Sequence, residues 1–195
     1  MTSVDAFFSK CMRELMKYGV TIQFVSEEIS NINYSFFEVD HRGENPRLSM
    51  VYSEENFLDN FPLFLHEYCH FLQWKNGEHF DSTSSLTKFG EWIAYKSEKF
   101  SIKDIRNIQQ MELDCDKKVI RLVKKYQLPI DISIYKKMTN SYVLSYNYIF
   151  EKRIFFHSGF DHPEVMNCVP DRFLSMNEII KGNQKHKELF LKHSK

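Results

Sequence analysis

His66-Glu67-Tyr68-Cys69-His70 is the stretch that decides how this chain is read. On an α-helix, residues four apart share a face one turn apart, so His66 and His70 would present two imidazoles side by side. Such a pair can grip a zinc ion, with Glu67 beside it as a base for water. The flanking residues favour a helix. Pro62 suits a first helical position, the apolar run Leu63-Phe64-Leu65 follows, and Gly77 can end the segment after Trp74-Lys75-Asn76. The predicted helix is therefore 62–76. An amphipathic helix whose histidines are merely polar neighbours would carry the same spelling.

A second segment agrees with the metal reading. Ser101 followed by Asp104 is a serine cap with an acid three residues on, which predicts a helix over 102–126 that stops before Pro129. Ile105, Ile108, Glu112, Cys115, Val119, Leu122 and Tyr126 then recur at alternating spacings of three and four. That is one helical face, apolar or aromatic except at Glu112. A carboxylate in a core-facing stripe is costly unless it meets a metal, an arginine or a lysine. Asp116, one turn on at the edge of the same face, can hold the outer N–H of a metal-bound histidine.

Together, His66-Glu67-x-x-His70 and Glu112-x-x-x-Asp116 resemble the gluzincin branch of the zincin metallopeptidases. The resemblance implies that His66, His70 and Glu112 bind Zn2+, that Glu67 is the base, and that Asp116 supports a ligand histidine. It covers roughly residues 45–125. The separation of His70 from Glu112 exceeds that of the compact members, which leaves room for an extra helix between the two ligand helices. The chain's size and the stretch Glu112-Leu113-Asp114-Cys115-Asp116 also look like small metallopeptidase-like proteins of phages and bacteria, including the type that cleaves repressors. The implied fold is α+β and zincin-like: a small, largely antiparallel sheet with a helical bundle carrying the metal site. The two ligand helices should cross where they share the ion. The implied substrate is a protein or peptide. By the same resemblance, Leu48–Tyr52 would lie at the cleft edge and pair with an extended substrate.

Composition bounds the alternatives. A length of 195 residues suits a single domain, 1–195, with a real core. Lys+Arg and Asp+Glu both number 26, so no charge excess points to nucleic acid. Local basic runs such as Lys117-Lys118 and Lys124-Lys125 read as solvated helix faces. An apolar fraction of 43% with 18 Phe argues against disorder. No signal peptide and no apolar run of membrane-spanning length is seen, so a cytoplasmic location without a membrane partner is expected. Cys11, Cys69, Cys115 and Cys168 form no Cys-x-x-Cys and read as reduced thiols. Cys69 and Cys115 adjoin site residues, either as soft ligands or as small core residues.

The remaining elements follow from periodicity. Residues 4–17 read as a helix closed by Gly19, and Val20–Val25 as a strand. Tyr34–Val39 and Leu48–Tyr52 read as two more strands, joined by the turn-rich His41–Pro46. His79–Ser85 reads as a polar loop, and 86–99 as a helix containing Gly90. Asp131 can cap a long helix to about Phe155, and Ser175 with Glu178 a short one. The charged tail from His186 is expected to fray. On the helix after Asp131, Tyr135, Tyr142 and Tyr146 lie close to one face. Tyr142 or Tyr146 could stabilise an oxyanion, as could His157 or His162; packing with the hydroxyl at the rim is the alternative.

Overall fold

The computed structural model describes residues 3–26, 36–40, 43–52, 57–78, 80–95, 99–153 and 158–194. The elements in chain order are α1 (Ser3–Lys17), β1 (Thr21–Ser26), β2 (Phe36–Glu38), β3 (Arg47–Tyr52), α2 (Phe57–Lys75), α3 (Phe80–Tyr95), α4 (Ile102–Tyr126), α5 (Ile132–Lys152), α6 (Pro163–Met166), α7 (Met176–Lys181) and α8 (Gln184–His193). The protein is α+β. It divides into two compact units: Met1–Glu78 with Lys118–Ile130, and His79–Lys117 with Asp131–Lys195. No helix among the described residues is long and apolar enough to cross a membrane.

The first unit builds α2 onto a small sheet. Strand order is β1-β3-β2. β3 pairs in parallel with β1 from Thr21↔Arg47 to Ser26↔Tyr52, and antiparallel with β2 from Phe36↔Ser49 to Glu38↔Arg47. The expected largely antiparallel sheet is thus a mixed one, its longest pairing parallel. Three successive short strands suggest a meander, but β3 returns between the other two, a choice made by tertiary pairing and not by local pattern. Leu48–Tyr52 accordingly lies in the central strand, not at an edge. Leu48, Ser49 and Met50 are buried there.

Helix α2 starts a turn and more before the expected position, which leaves Pro62 inside it. Proline removes one backbone bond there and strains the preceding turn. Burial offsets this: Phe61, Phe64, Leu65, Tyr68, Cys69 and Phe71 are all buried, at about 1.5–3 kcal/mol for each large apolar side chain. Phe7 of α1 meets Phe61 and Tyr68 edge-on, and Phe37 of β2 packs against Phe71 and Trp74. Trp74 Nε1 donates to the Gly43 carbonyl at 2.9 Å, fixing the β2–β3 connection to the end of α2. Glu14 of α1 accepts from Tyr68 Oη and Lys75 Nζ, each at 2.6 Å.

The second unit is helical. Ser101 caps α4 as expected: Asp104 Oδ2 accepts from the Ser101 backbone at 2.9 Å, while Asp104 N reaches Ser101 Oγ at 3.4 Å. Burial works against the Asp104 carboxylate, but bonds from Ser101, Lys88 and Ser85 outweigh it and hold its pKa down at about 2. Those bonds also explain a correction. The expected loop 79–85 is helical from Phe80, because buried Ser85 and then Lys88 are drawn to Asp104 across the helix pair. Phe89, Trp92, Phe100, Ile105, Ile108, Tyr146 and Ile149 form the core between α3, α4 and α5.

Asp131 caps α5, accepting from Ser133 N and Ile134 N, and Ser175 with Glu178 forms the expected capping box on α7. Fully buried Asn140 ties α5 to the loop before α7. Its amide donates to Pro170 O and Arg172 O at 2.9 and 2.7 Å, and its carbonyl accepts from Leu174 N at 3.0 Å. The tail does not fray. It forms α8, with Phe190 packed against Tyr148 and Val165, and with His186 buried against Ser141 and Tyr148. Its charged residues masked one apolar anchor. The expected ends of the second strand and of α5, at Tyr34 and Phe155, lie outside the described residues, as do His79 and His157.

Candidate metal centre

The histidine pair forms as its spacing implies. His66 and His70 sit one turn apart on α2, with ring planes at 85° and Nε2 atoms 3.0 Å apart. Two imidazole lone pairs at that distance repel unless a proton or a cation lies between them. His70 Nδ1 donates to Gln73 Oε1 at 2.8 Å, since that carbonyl can only accept. The bond commits His70 to the tautomer whose Nε2 carries the lone pair. Two nitrogens bound at about 2.0–2.1 Å on a tetrahedral ion would stand about 3.3 Å apart, so the pair fits zinc with a small adjustment. Both histidines are partly exposed, whereas Gln73 is buried. Gln73 was missed in the sequence, where its signal was only its place three residues beyond His70 on the same helical face.

Glu67 is buried, and its Oε2 accepts from the Phe37 backbone N–H of β2 at 2.7 Å. The motif's carboxylate is therefore oriented by the sheet on which α2 packs. No local pattern in 66–70 could have named Phe37.

Helix α4 carries the other candidates. Of the predicted stripe, Ile105, Ile108, Glu112, Cys115 and Val119 are buried, whereas Leu122 and Tyr126 at its C-terminal end are only partly so. Asp116, on the next turn after Glu112, is buried too, and its Oδ1 accepts from Tyr135 Oη of α5 at 2.5 Å. Tyr135 shared a face with Tyr142 and Tyr146 in the sequence but was not identified as a partner of Asp116. The four cysteines are free thiols, three of them buried; Cys11 is pushed well up from its ordinary pKa by burial.

Tyr142 and Tyr146, one turn apart on α5, bond to each other through their hydroxyls at 2.7 Å. One phenol must donate to the other. The Tyr146 ring belongs to the α3–α5 core and the Tyr142 ring packs edge-on against Phe160. His162 is placed elsewhere in the same unit: it caps α6 through Nδ1 and stacks on His193.

No family model matches the chain, and no curated protein or solved structure matches it.

Proposed function

We propose that this chain is a zinc-dependent hydrolase of the metallopeptidase type, with a zincin-like arrangement of α2 and α4, acting on a protein or peptide. One observation carries the reading: two imidazoles whose Nε2 atoms converge to 3.0 Å, one of them locked by Gln73 in the ligand tautomer. His66 and His70 would hold the ion, with Glu112 of α4 as the third ligand and Asp116 supporting a ligand histidine. Cys115, one turn beyond Glu112 on the same face of α4, is the rival third donor, because a thiolate is a good soft ligand for zinc. When bound, zinc supplies Lewis acidity at a carbonyl and makes water more acidic.

The chain's own groups supply the remaining chemistry. Glu67 takes a proton from the attacking water and passes it to the leaving amine. A hydroxyl of the Tyr142–Tyr146 pair is the proposed oxyanion donor. The bond to Phe37 also favours a second reading, in which Glu67 anchors β2 and the zinc centre serves a structural or protein-binding module without catalysis.

Elemental analysis and a peptide-library digest test both readings. Wild type and Glu67→Gln should carry equal zinc, and Glu67→Gln should lose hydrolysis by about 100-fold or more, since an amide is no base. Equal activity of the two would defeat the enzymatic reading and leave the binding module. A chain purified without zinc, and unable to take it up, would defeat both. Glu112→Gln set against Cys115→Ser decides the third ligand by which variant loses the metal.

A further inference from the structure

A second cluster of metal donors lies in the helical unit, built from residues that the proposed hydrolase does not need. His162, Glu164 and His193 each offer a donor atom, and these atoms lie within 4.8 Å of one another. His193 Nε2 is 3.0 Å from Glu164 Oε2. The His162 and His193 rings stack with centroids 3.5 Å apart and planes 12° from parallel.

The backbone holds this cluster together independently of those side chains. His162 caps α6 and donates its own N–H to Gly159 O at 3.3 Å, so it is fixed to the turn that begins at Gly159. A Cβ on Gly159 would come within 2.9 Å of Ser194 Oγ and 3.1 Å of the Ser194 backbone. The residue after His193 is thus seated directly on the turn that carries His162. Gly159 has φ +103, a conformation that a side chain would strain in any case. On the other side, Phe190 and Val165 share a buried cluster with Tyr148 and keep α8 against α6.

We infer that His162, Glu164 and His193 form a second metal site, which takes a first-row divalent transition ion and clips the C-terminal helix α8 to α6. Two imidazoles and one carboxylate suit zinc, nickel or copper and are poor ligands for magnesium or calcium, which prefer all-oxygen shells. Parallel rings direct their lone pairs side by side, so one ring must turn for both to reach an ion. Rotation of a histidine about its second side-chain torsion has a broad, shallow profile, and both rings are partly exposed. Lys192 Nζ, 3.3 Å from Glu164 Oε2, must also withdraw; its side chain is 63% exposed and can do so. Without an ion, Glu164 pairs with Lys192 and accepts a hydrogen bond from His193.

The test uses the untagged full-length chain, titrated calorimetrically with Zn2+ alone and with Ni2+ alone. His193→Gln and His162→Gln should each bind one equivalent fewer than the parent chain. Metal should raise the unfolding temperature of the parent through this site, because an ion that binds only the folded state stabilises it. That increment should be absent in both variants. The His66→Ala, His70→Ala double variant reports the other centre separately: it should retain the equivalent that His193→Gln loses. Both glutamine changes fall at partly exposed positions, and circular dichroism confirms their fold before titration. If His193→Gln and its parent bind the same number of ions with the same affinity, the site does not exist, whatever the outcome at His66 and His70.

Discussion

Replacing Gln73 by Leu tests the tautomer argument at its base. The side chain is 3% exposed, and its Oε1 accepts from His70 Nδ1 at 2.8 Å. Leucine fills a similar volume but leaves that N–H without its acceptor. A neutral hydrogen bond contributes about 0.5–1.5 kcal/mol net. Outer-shell partners of ligand histidines are typically worth about 10–100-fold in metal affinity, which corresponds to about 1.4–2.7 kcal/mol. Gln73→Leu should therefore weaken zinc binding by about 10–100-fold. Gln73→Glu should act in the opposite direction, because an ionised acceptor makes a bond roughly twice as strong. Competition against a chromogenic zinc chelator measures both variants beside wild type. Should Gln73→Leu hold zinc as tightly as wild type, the bond does not orient a ligand, and His70 is not held in the tautomer proposed.

Two further outcomes test the architecture. Burial pushes the pKa of His186 down from 6.5 to about 4. An unfolded chain therefore takes up a proton that the folded one refuses, and stability present above pH 6.5 is lost as pH falls towards 4. The loss between pH 7 and pH 5 is about 2 kcal/mol, so urea unfolding of wild type should show that slope and His186→Gln should lack it; an identical slope in both would refute the assignment. Asn140→Ala removes three hydrogen bonds, to Pro170 O, Arg172 O and from Leu174 N. It should cost about 2–4 kcal/mol in the same assay at pH 7, and a loss below about 1 kcal/mol would mean that the 170–174 loop is held by other contacts.

What the sequence revealed, and what it did not, divides by distance along the chain. The pairing of His66 with His70, the caps at Ser101, Asp131 and Ser175, and the buried stripe of α4 are all set by residues within four positions of each other. Helical geometry alone predicts these. The α+β class followed from the same local periodicities. The errors arise where a distant partner overrides a local preference. Ser85 is a loop former by composition, yet it is helical and bonded to Asp104. Pro62 favours a helix start, yet the burial of Phe61 and Phe64 carries the helix through it. β3 pairs with β1 because the chain returns between strands already separated, and no two-residue alternation encodes that order. The tail around His186 is charged along most of its length, yet the buried side chains of Phe190 and His186 dock it.

The histidine motif supplies donors, but the packing of α2 on the sheet decides how they are used. Gln73 is on α2 itself, so the orientation of His70 survives wherever the helix survives. Glu67 differs, since its partner is a backbone N–H of β2. A backbone donor cannot be removed by a side-chain substitution and cannot turn away, so the Glu67 carboxylate is as fixed as the strand is. The strand in turn depends on Phe37 lying against Phe71 and Trp74, and on Trp74 holding the Gly43 carbonyl. The orientation of Glu67 is therefore supported by aromatic packing through Phe71 and Trp74, just beyond His70 on α2. Loosening that packing would disturb the carboxylate while leaving the His66–His70 pair and its Gln73 partner in place. The i,i+4 spelling that makes the metal reading legible is thus only half of the arrangement. On the proposed reading, the half that would separate a catalyst from a metal-binding module lies in the contact between α2 and β2.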